Sequence, residues 1–206
     1  MNTAVVSSGF VPTVRDLLSL TKPRVSALVL ATSAAGIGLA PGSISTGAAI
    51  AMLVGTLLCV GSANALNCYI ERESDKLMTR TRSRALPAGR LDAKLALSFG
   101  LMLGVLSVPL LALGVNGITG LLGALALVSY VAVYTPLKKH SPLSLVIGAV
   151  PGALPPLMGY TAVTGRIEAP GVLLFALLFL WQLPHVIGLG SFRRDEYVAA
   201  GIRVLP

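Results

Sequence analysis

VSALVLATSAAGIGLAPGSISTGAAIAMLVGTLLCVGSANALNCYI, residues 25–70, is a run of 46 residues without a single charged side chain between Arg24 and Glu71. A helix needs about 20 apolar residues to cross the hydrocarbon core of a bilayer. The run therefore holds two crossings, with Pro41-Gly42-Ser43 as the turn between them. Working outward, a second uncharged run of 43 residues separates Lys94 from Lys138, divided less sharply at Gly114-Val115-Asn116-Gly117. Two shorter gaps, Lys139 to Arg166 and Glu168 to Arg193, each fit one crossing. The expected fold is an all-α polytopic transmembrane helix bundle of six spans, near 25–40, 47–68, 94–113, 117–135, 143–162 and 171–191, with the lipid bilayer as solvent. Only 12% of the 206 residues are charged, against about 25% in a soluble domain. Gly and Ala recur inside the spans and suit close helix packing in lipid.

Residues 1–24 form an N-terminal, interfacial segment and residues 25–206 the membrane domain. The segment carries Arg15, Asp16, Lys22 and Arg24 and lacks a continuous apolar core, so a cleaved signal peptide is not expected. Asp16 to Leu20 suits the membrane surface. Cys59 and Cys68 lie nine apart on one helix and face opposite ways, which leaves no disulfide framework and no zinc spacing.

Fifteen of the sixteen Lys and Arg residues fall at the N-terminus, after spans 2, 4 and 6, or in the C-terminal tail; Arg166 is the exception. The positive-inside rule places those connections in the cytoplasm. Topology accounts for most of the +8 net charge, which argues against nucleic acid as a partner. Seven of the eight acidic residues share that basic side, and five cluster after spans 2 and 6.

Asn67, Glu71 and Asp75 follow span 2 at i, i+4 and i+8, one polar stripe if the helix continues. Two carboxylates a turn apart repel, and oxygen ligands point to a hard cation such as magnesium, which takes one or two carboxylates together with substrate phosphates. Arg80, Arg82, Arg84 and Arg90 follow at once, and guanidinium forks match phosphate oxygens. The combination describes a diphosphate site; a solvated helix end with topology-setting arginines fits the spacing equally well.

Span 6 leaves through Trp181-Gln182-Leu183-Pro184-His185 and ends in Asp195-Glu196-Tyr197. Polar groups at a span's edge are functional candidates, although His185 also suits an interfacial histidine bonded to a backbone carbonyl and Trp181 an interface anchor. The loop Tyr134-Thr135-Pro136-Leu137-Lys138 adds a phenol and a cation, or simply an interface belt.

Ala63 to Asp75, continuing through Lys76-Leu77-Met78-Thr79 to Arg90, resembles the first signature of the UbiA-type membrane prenyltransferases. Leu20 to Val25, Tyr134 to Lys138, Gly148 to Pro156, Trp181 to His185 and Asp195 to Tyr197 with Ala200-Gly201-Ile202 agree with it, most closely in the branch whose acceptor is heme. The chain departs from that pattern with Glu71 and Glu196 where aspartate is common, Ala85 where proline is usual, and Arg203-Val204 for proline-methionine. Members usually have nine spans, so the resemblance implies a chain that is C-terminally incomplete.

The resemblance implies transfer of a farnesyl group from farnesyl diphosphate to a vinyl group of heme b, giving heme O and diphosphate. Heme A and terminal oxidase biogenesis would follow, with a downstream heme-modifying enzyme as a possible partner. It implies Mg2+ held by Asn67, Glu71 and Asp75 and, from the second signature, Asp195, with Glu196 as a further catalytic carboxylate. Arg80, Arg82, Arg84, Arg90, Tyr134 and Lys138 would bind substrate, and His185 would contact the heme. A bacterial plasma membrane is the expected location. An aromatic, quinone-precursor acceptor is the alternative within the family, and the Trp181–His185 segment and the Arg80–Arg90 stretch speak against it. A transporter or assembly protein is the alternative outside it, and the charge-free span centres speak against that.

Overall fold

The computed structural model describes residues 14–201. Residues 1–13 of the expected interfacial segment, and the Arg203-Val204 departure, lie outside the described residues. Every regular element is helical: α1 Val14–Leu20, α2 Pro23–Leu39, α3 Thr46–Ile70, α4 Arg72–Lys76, α5 Ala93–Gly114, α6 Gly117–Val128, α7 Thr135–Leu137, α8 Ser144–Thr164, α9 Ala169–Phe192 and α10 Arg194–Ala199. A π-helical turn, Ser129–Tyr134, joins α6 to α7 and makes one rod from Gly117 to Leu137.

That rod and α3, α5, α8 and α9 are each long and apolar enough to cross a membrane. α2 occupies the first expected position but is shorter, at 17 residues, roughly 25 Å at the helical rise. Side chains cap the starts of α3, α5 and α6, one of them Asn116 of the expected second turn. Ser45 Oγ accepts from the Ala48 amide (3.2 Å), Asp92 Oδ1 from Lys94 and Leu95 (2.8 and 3.1 Å), and Asn116 Oδ1 from Thr119 (2.9 Å).

α3 packs along α5 and α2 along α8, while α8 also holds α9 and α6. The apolar centre is Met52, Leu111, Leu122, Leu154, Leu157 and Met158. Two polar contacts in this environment cross between helices: Ser62 Oγ donates to the Gly100 carbonyl (2.7 Å), and the Thr119 and Thr161 hydroxyls meet at 3.0 Å. α8 is the inner helix; α9 buries nothing between Gly171 and Gly190. Both buried cysteines are free.

The α2–α8 pair shows why small residues recur. A Cβ at Gly36 would collide with the Pro156 carbonyl, and one at Gly159 with the Ser33 carbonyl, because the two backbones touch there. Gly159→Val should therefore lower the thermal unfolding midpoint in detergent, by the equivalent of about 1–3 kcal/mol of overpacking. Gly38→Ala, whose added carbon meets nothing within 4 Å, should leave the midpoint unchanged or raise it.

Candidate active site

The carboxylate stripe does not sit on one unbroken helix. α3 ends at Ile70, Glu71 is its C-cap, and α4 restarts at Arg72. The helical register survives this break, since the Glu71 amide donates to Asn67 O (2.9 Å) and the Asp75 amide to Glu71 O (2.8 Å). Asn67, Glu71 and Asp75 consequently face the same way, and all are buried, at 2%, 8% and 1% exposure. Glu73 points outward and pairs with Lys76 at 2.8 Å.

Buried carboxylates require partners, and each here has a cation from a distant segment. Lys138 Nζ donates to Glu71 Oε1 at 2.8 Å. Arg84 donates to Asp75 Oδ2 at 2.8 Å. Lys22 Nζ donates to Asn67 Oδ1 at 3.2 Å, and Asn67 Nδ2 donates to Thr135 Oγ1 at 3.3 Å. The arginine loop is anchored on the same carboxylate residue, because Thr81 Oγ1 donates to the Asp75 carbonyl at 2.8 Å. Burial pushes the Lys138 ammonium down, but Tyr134, Glu71 and Tyr130 outweigh it and hold its pKa above the ordinary lysine value. At Lys22 burial prevails and the pKa is lowered.

These groups enclose a cavity of about 310 Å³. The stripe forms one wall, and Lys22, Arg80, Arg84 and Lys138 bring positive charge to it. Tyr130, Tyr134, Leu189 and Tyr197 also line it, with Val25, Met78 and Leu145. The π turn positions the two tyrosines. Thr135 donates from both its amide and its Oγ1 to the Tyr130 carbonyl, and the rings lie 5.1 Å apart. Gly148 leaves room for the Tyr134 ring, over which Lys138 Nζ sits 4.5 Å from the centroid.

The remaining expected site residues lie elsewhere. Arg82 is exposed and outside the cavity. Arg90 bonds Asp16 Oδ1 at 3.4 Å and the Ser83 carbonyl at 3.0 Å. His185 is exposed and stacks on Trp181, with centroids 5.1 Å apart. Asp195 is exposed on α10, and Glu196, 3.9 Å from Arg193, keeps a buried Oε2 without a hydrogen bond. Among the described residues no group of three His, Cys, Asp or Glu side chains comes together. Glu71 and Asp75 nevertheless suit a hard divalent cation. Both are oxygen donors, and Glu71 Oε2 and Asp75 Oδ1 have no hydrogen bond among the described residues.

Sequence reasoning passed over Lys22, Tyr130, Thr135 and Tyr197 as site residues. Lys22 is, among the described residues, the one non-glycine with positive φ (50°), a conformation that costs about 1–3 kcal/mol and that surrounding contacts must impose. Tyr197 carried the one available signal, its place beside two carboxylates.

Residues 29–206 match the family model of the UbiA prenyltransferase family. The chain is 55% identical over 190 residues to a protoheme IX farnesyltransferase of Anaeromyxobacter sp. (strain Fw109-5), covering 92% of this chain and 64% of that protein. It is 62% identical over 154 residues to one of Sorangium cellulosum (strain So ce56), covering 75% of this chain and 55% of that one. Among solved structures, a UbiA homolog from Archaeoglobus fulgidus bound to GPP and Mg2+ superposes with a TM-score of 0.73 at 18% identity, covering 93% of this chain and 68% of that one. The chain belongs to the UbiA prenyltransferase family and is an integral membrane protein. It spans 64% of the length of the Anaeromyxobacter relative.

Lys138→Met strands a buried Glu71 and should destabilise the protein by about 3–5 kcal/mol. Lys138→Met combined with Glu71→Gln should recover much of that loss; equal midpoints for the single and double variants would show that the pair does not couple.

Proposed function

We propose that the chain carries the catalytic bundle of a protoheme IX farnesyltransferase. It moves the farnesyl group of farnesyl diphosphate onto a vinyl group of heme b, releasing diphosphate and giving heme O for terminal oxidase assembly. One observation carries the reading: a buried Asn67–Glu71–Asp75 stripe, ringed by cations, faces a cavity that borders an apolar cleft. The cleft, about 130 Å³, shares Val25 and Tyr130 with the polar cavity and is lined beyond them by Val29, Val60, Leu127 and Pro155. A diphosphate head in the cavity would send its isoprenoid tail into the cleft. The Anaeromyxobacter and Sorangium relatives, named for this reaction, support the acceptor and donor. The Archaeoglobus homolog, bound to GPP and Mg2+, supports the metal.

Arg80, Arg84 and Lys138 hold the diphosphate oxygens, and Arg82 and Arg90 draw the anion inward from outside the cavity. Glu71 and Asp75, with Asn67 beside them, would hold magnesium, and Asp195 and Glu196 would approach the diphosphate from the second signature. Magnesium bound there supplies positive charge that stabilises the departing diphosphate. The allylic C–O bond breaks and its electron pair leaves with the diphosphate. The terminal vinyl carbon of the heme bonds to the allylic carbon. Water adds to the vinyl carbon next to the ring and loses a proton, leaving a hydroxyethylfarnesyl chain. Tyr130, Tyr134 and the apolar cleft keep other water from the cationic carbon, and preorganised cations limit the reorganisation required. His185 contacts the heme from the α9 side. The stripe, the arginine loop, α1 and α10 face the bacterial cytoplasm, and a heme-modifying enzyme receives the product.

Membranes carrying the chain, alone and with the remaining third of the Anaeromyxobacter relative appended, should convert heme b and farnesyl diphosphate to heme O, detected by mass, in at least one form. Asp75→Ala should lower the rate at least about 100-fold with normal insertion, and chelation of magnesium should abolish it. Prenylation of an aromatic acid instead of heme by both forms would sink the assignment.

A further inference from the structure

A second and larger cavity, about 670 Å³, adjoins the first, and Lys22 and Arg84 line both. Its rim brings together α1, through Arg15 and Asp16, and the loop that carries Arg84 and Arg90. Its floor is apolar, formed by the buried residues Leu20, Cys68, Ala85 and Leu86. Size, floor and rim together describe a binding site for an amphipathic anion: the volume lies within the usual range for small-molecule pockets, about 300–1,000 Å³.

The charges are unevenly matched. Asp16 pairs with Arg90 at 3.4 Å, and Arg84 is committed to Asp75 at 2.8 Å. Lys22 donates only to the neutral amide of Asn67. Arg15 has no ion pair among the described residues. Among the described residues Arg15 is thus left without an ion pair beside an apolar floor. Inorganic phosphate would leave that floor uncovered. A flat apolar molecule bearing two carboxylates on one edge would satisfy both features, and porphyrin acceptors have that shape, with propionates along one edge and vinyl groups on the far side.

We propose that this vestibule binds the acceptor by its carboxylate edge, Arg15 on the outer rim meeting a propionate, so that the opposite, vinyl edge is presented to the neighbouring cavity past Lys22 and Arg84, which line both. The inference rests on heme being the acceptor and names the part of the site that selects it. It also gives α1 and the loop around Arg90 a substrate role besides that of the arginines nearer the stripe. The Arg90–Asp16 pair positions α1 against the loop and so holds the vestibule's two sides together.

Spectroscopic titration of the solubilised chain with heme b and with its dimethyl ester tests this without requiring turnover. The unaltered chain should bind heme b at least about tenfold more tightly than the ester, and Arg15→Gln should weaken heme b binding about tenfold while leaving the ester unchanged, as expected for one charge-assisted hydrogen bond. Arg15→Lys should restore most of the preference. Equal affinities for acid and ester in the unaltered chain, or equal losses for both in Arg15→Gln, would overturn the assignment while leaving heme as the acceptor. No binding of either form would overturn it together with the proposed function. If Arg15→Gln instead weakens retention of phosphatidylglycerol and leaves heme affinity intact, the vestibule is a lipid headgroup site and the proposal fails.

Discussion

Two carboxylates lie buried where an apolar bundle meets its polar loops, and much of the site's arrangement follows from pairing them. An ionised carboxylate without a counterion is very costly in such surroundings. Glu71 calls in Lys138 from the end of the fourth span position, and Asp75 calls in Arg84 from the loop below it. Asn67, one turn deeper, draws Lys22 and Thr135. Three chain segments far apart in sequence thereby converge on a single helix end. The same arrangement suits an enzyme that handles an anion, because cations already held in place are ready for substrate oxygens.

The helices make this convergence possible by close approach. α8 passes near α2 where glycines let the backbones touch, and it abuts the rod from Gly117 to Leu137. The π turn in that rod is a local departure with a local cause. Its wider hydrogen bonding turns Tyr130 and Tyr134 toward the cavity, Thr135 satisfies the carbonyl that the turn displaces, and Gly148 clears the space. Pi turns of this kind commonly mark functional sites, and here the turn leads through α7 to Lys138.

Much of the fold was legible beforehand. Uncharged runs, bounded by turn residues, anticipated six apolar helices within a few residues of their observed limits, and the expected turn at Asn116 is a side-chain cap. The stripe was legible too, since helical spacing alone places Asn67, Glu71 and Asp75 together even though the helix axis breaks at Glu71. Charge type was a poorer guide to the rest. Arg80, Arg82, Arg84 and Arg90 look alike in sequence, yet only Arg80 and Arg84 line the stripe's cavity. His185 and Asp195 lie on exposed surfaces of α9 and α10.

By itself the sequence determined where the long apolar helices begin and end, because burying a charge in hydrocarbon is too costly to be overridden by local packing. It also determined which residues share a helix face, because helical periodicity depends only on spacing. Tertiary structure alone decided which cation meets which member of the stripe. Those pairings join residues 9, 45 and 67 positions apart, and their distances follow from how α2, α3 and the Gly117–Leu137 rod cross. The left-handed Lys22 and the second basic cavity were likewise decided there, since each depends on loops folding back over the bundle, which no local spacing encodes.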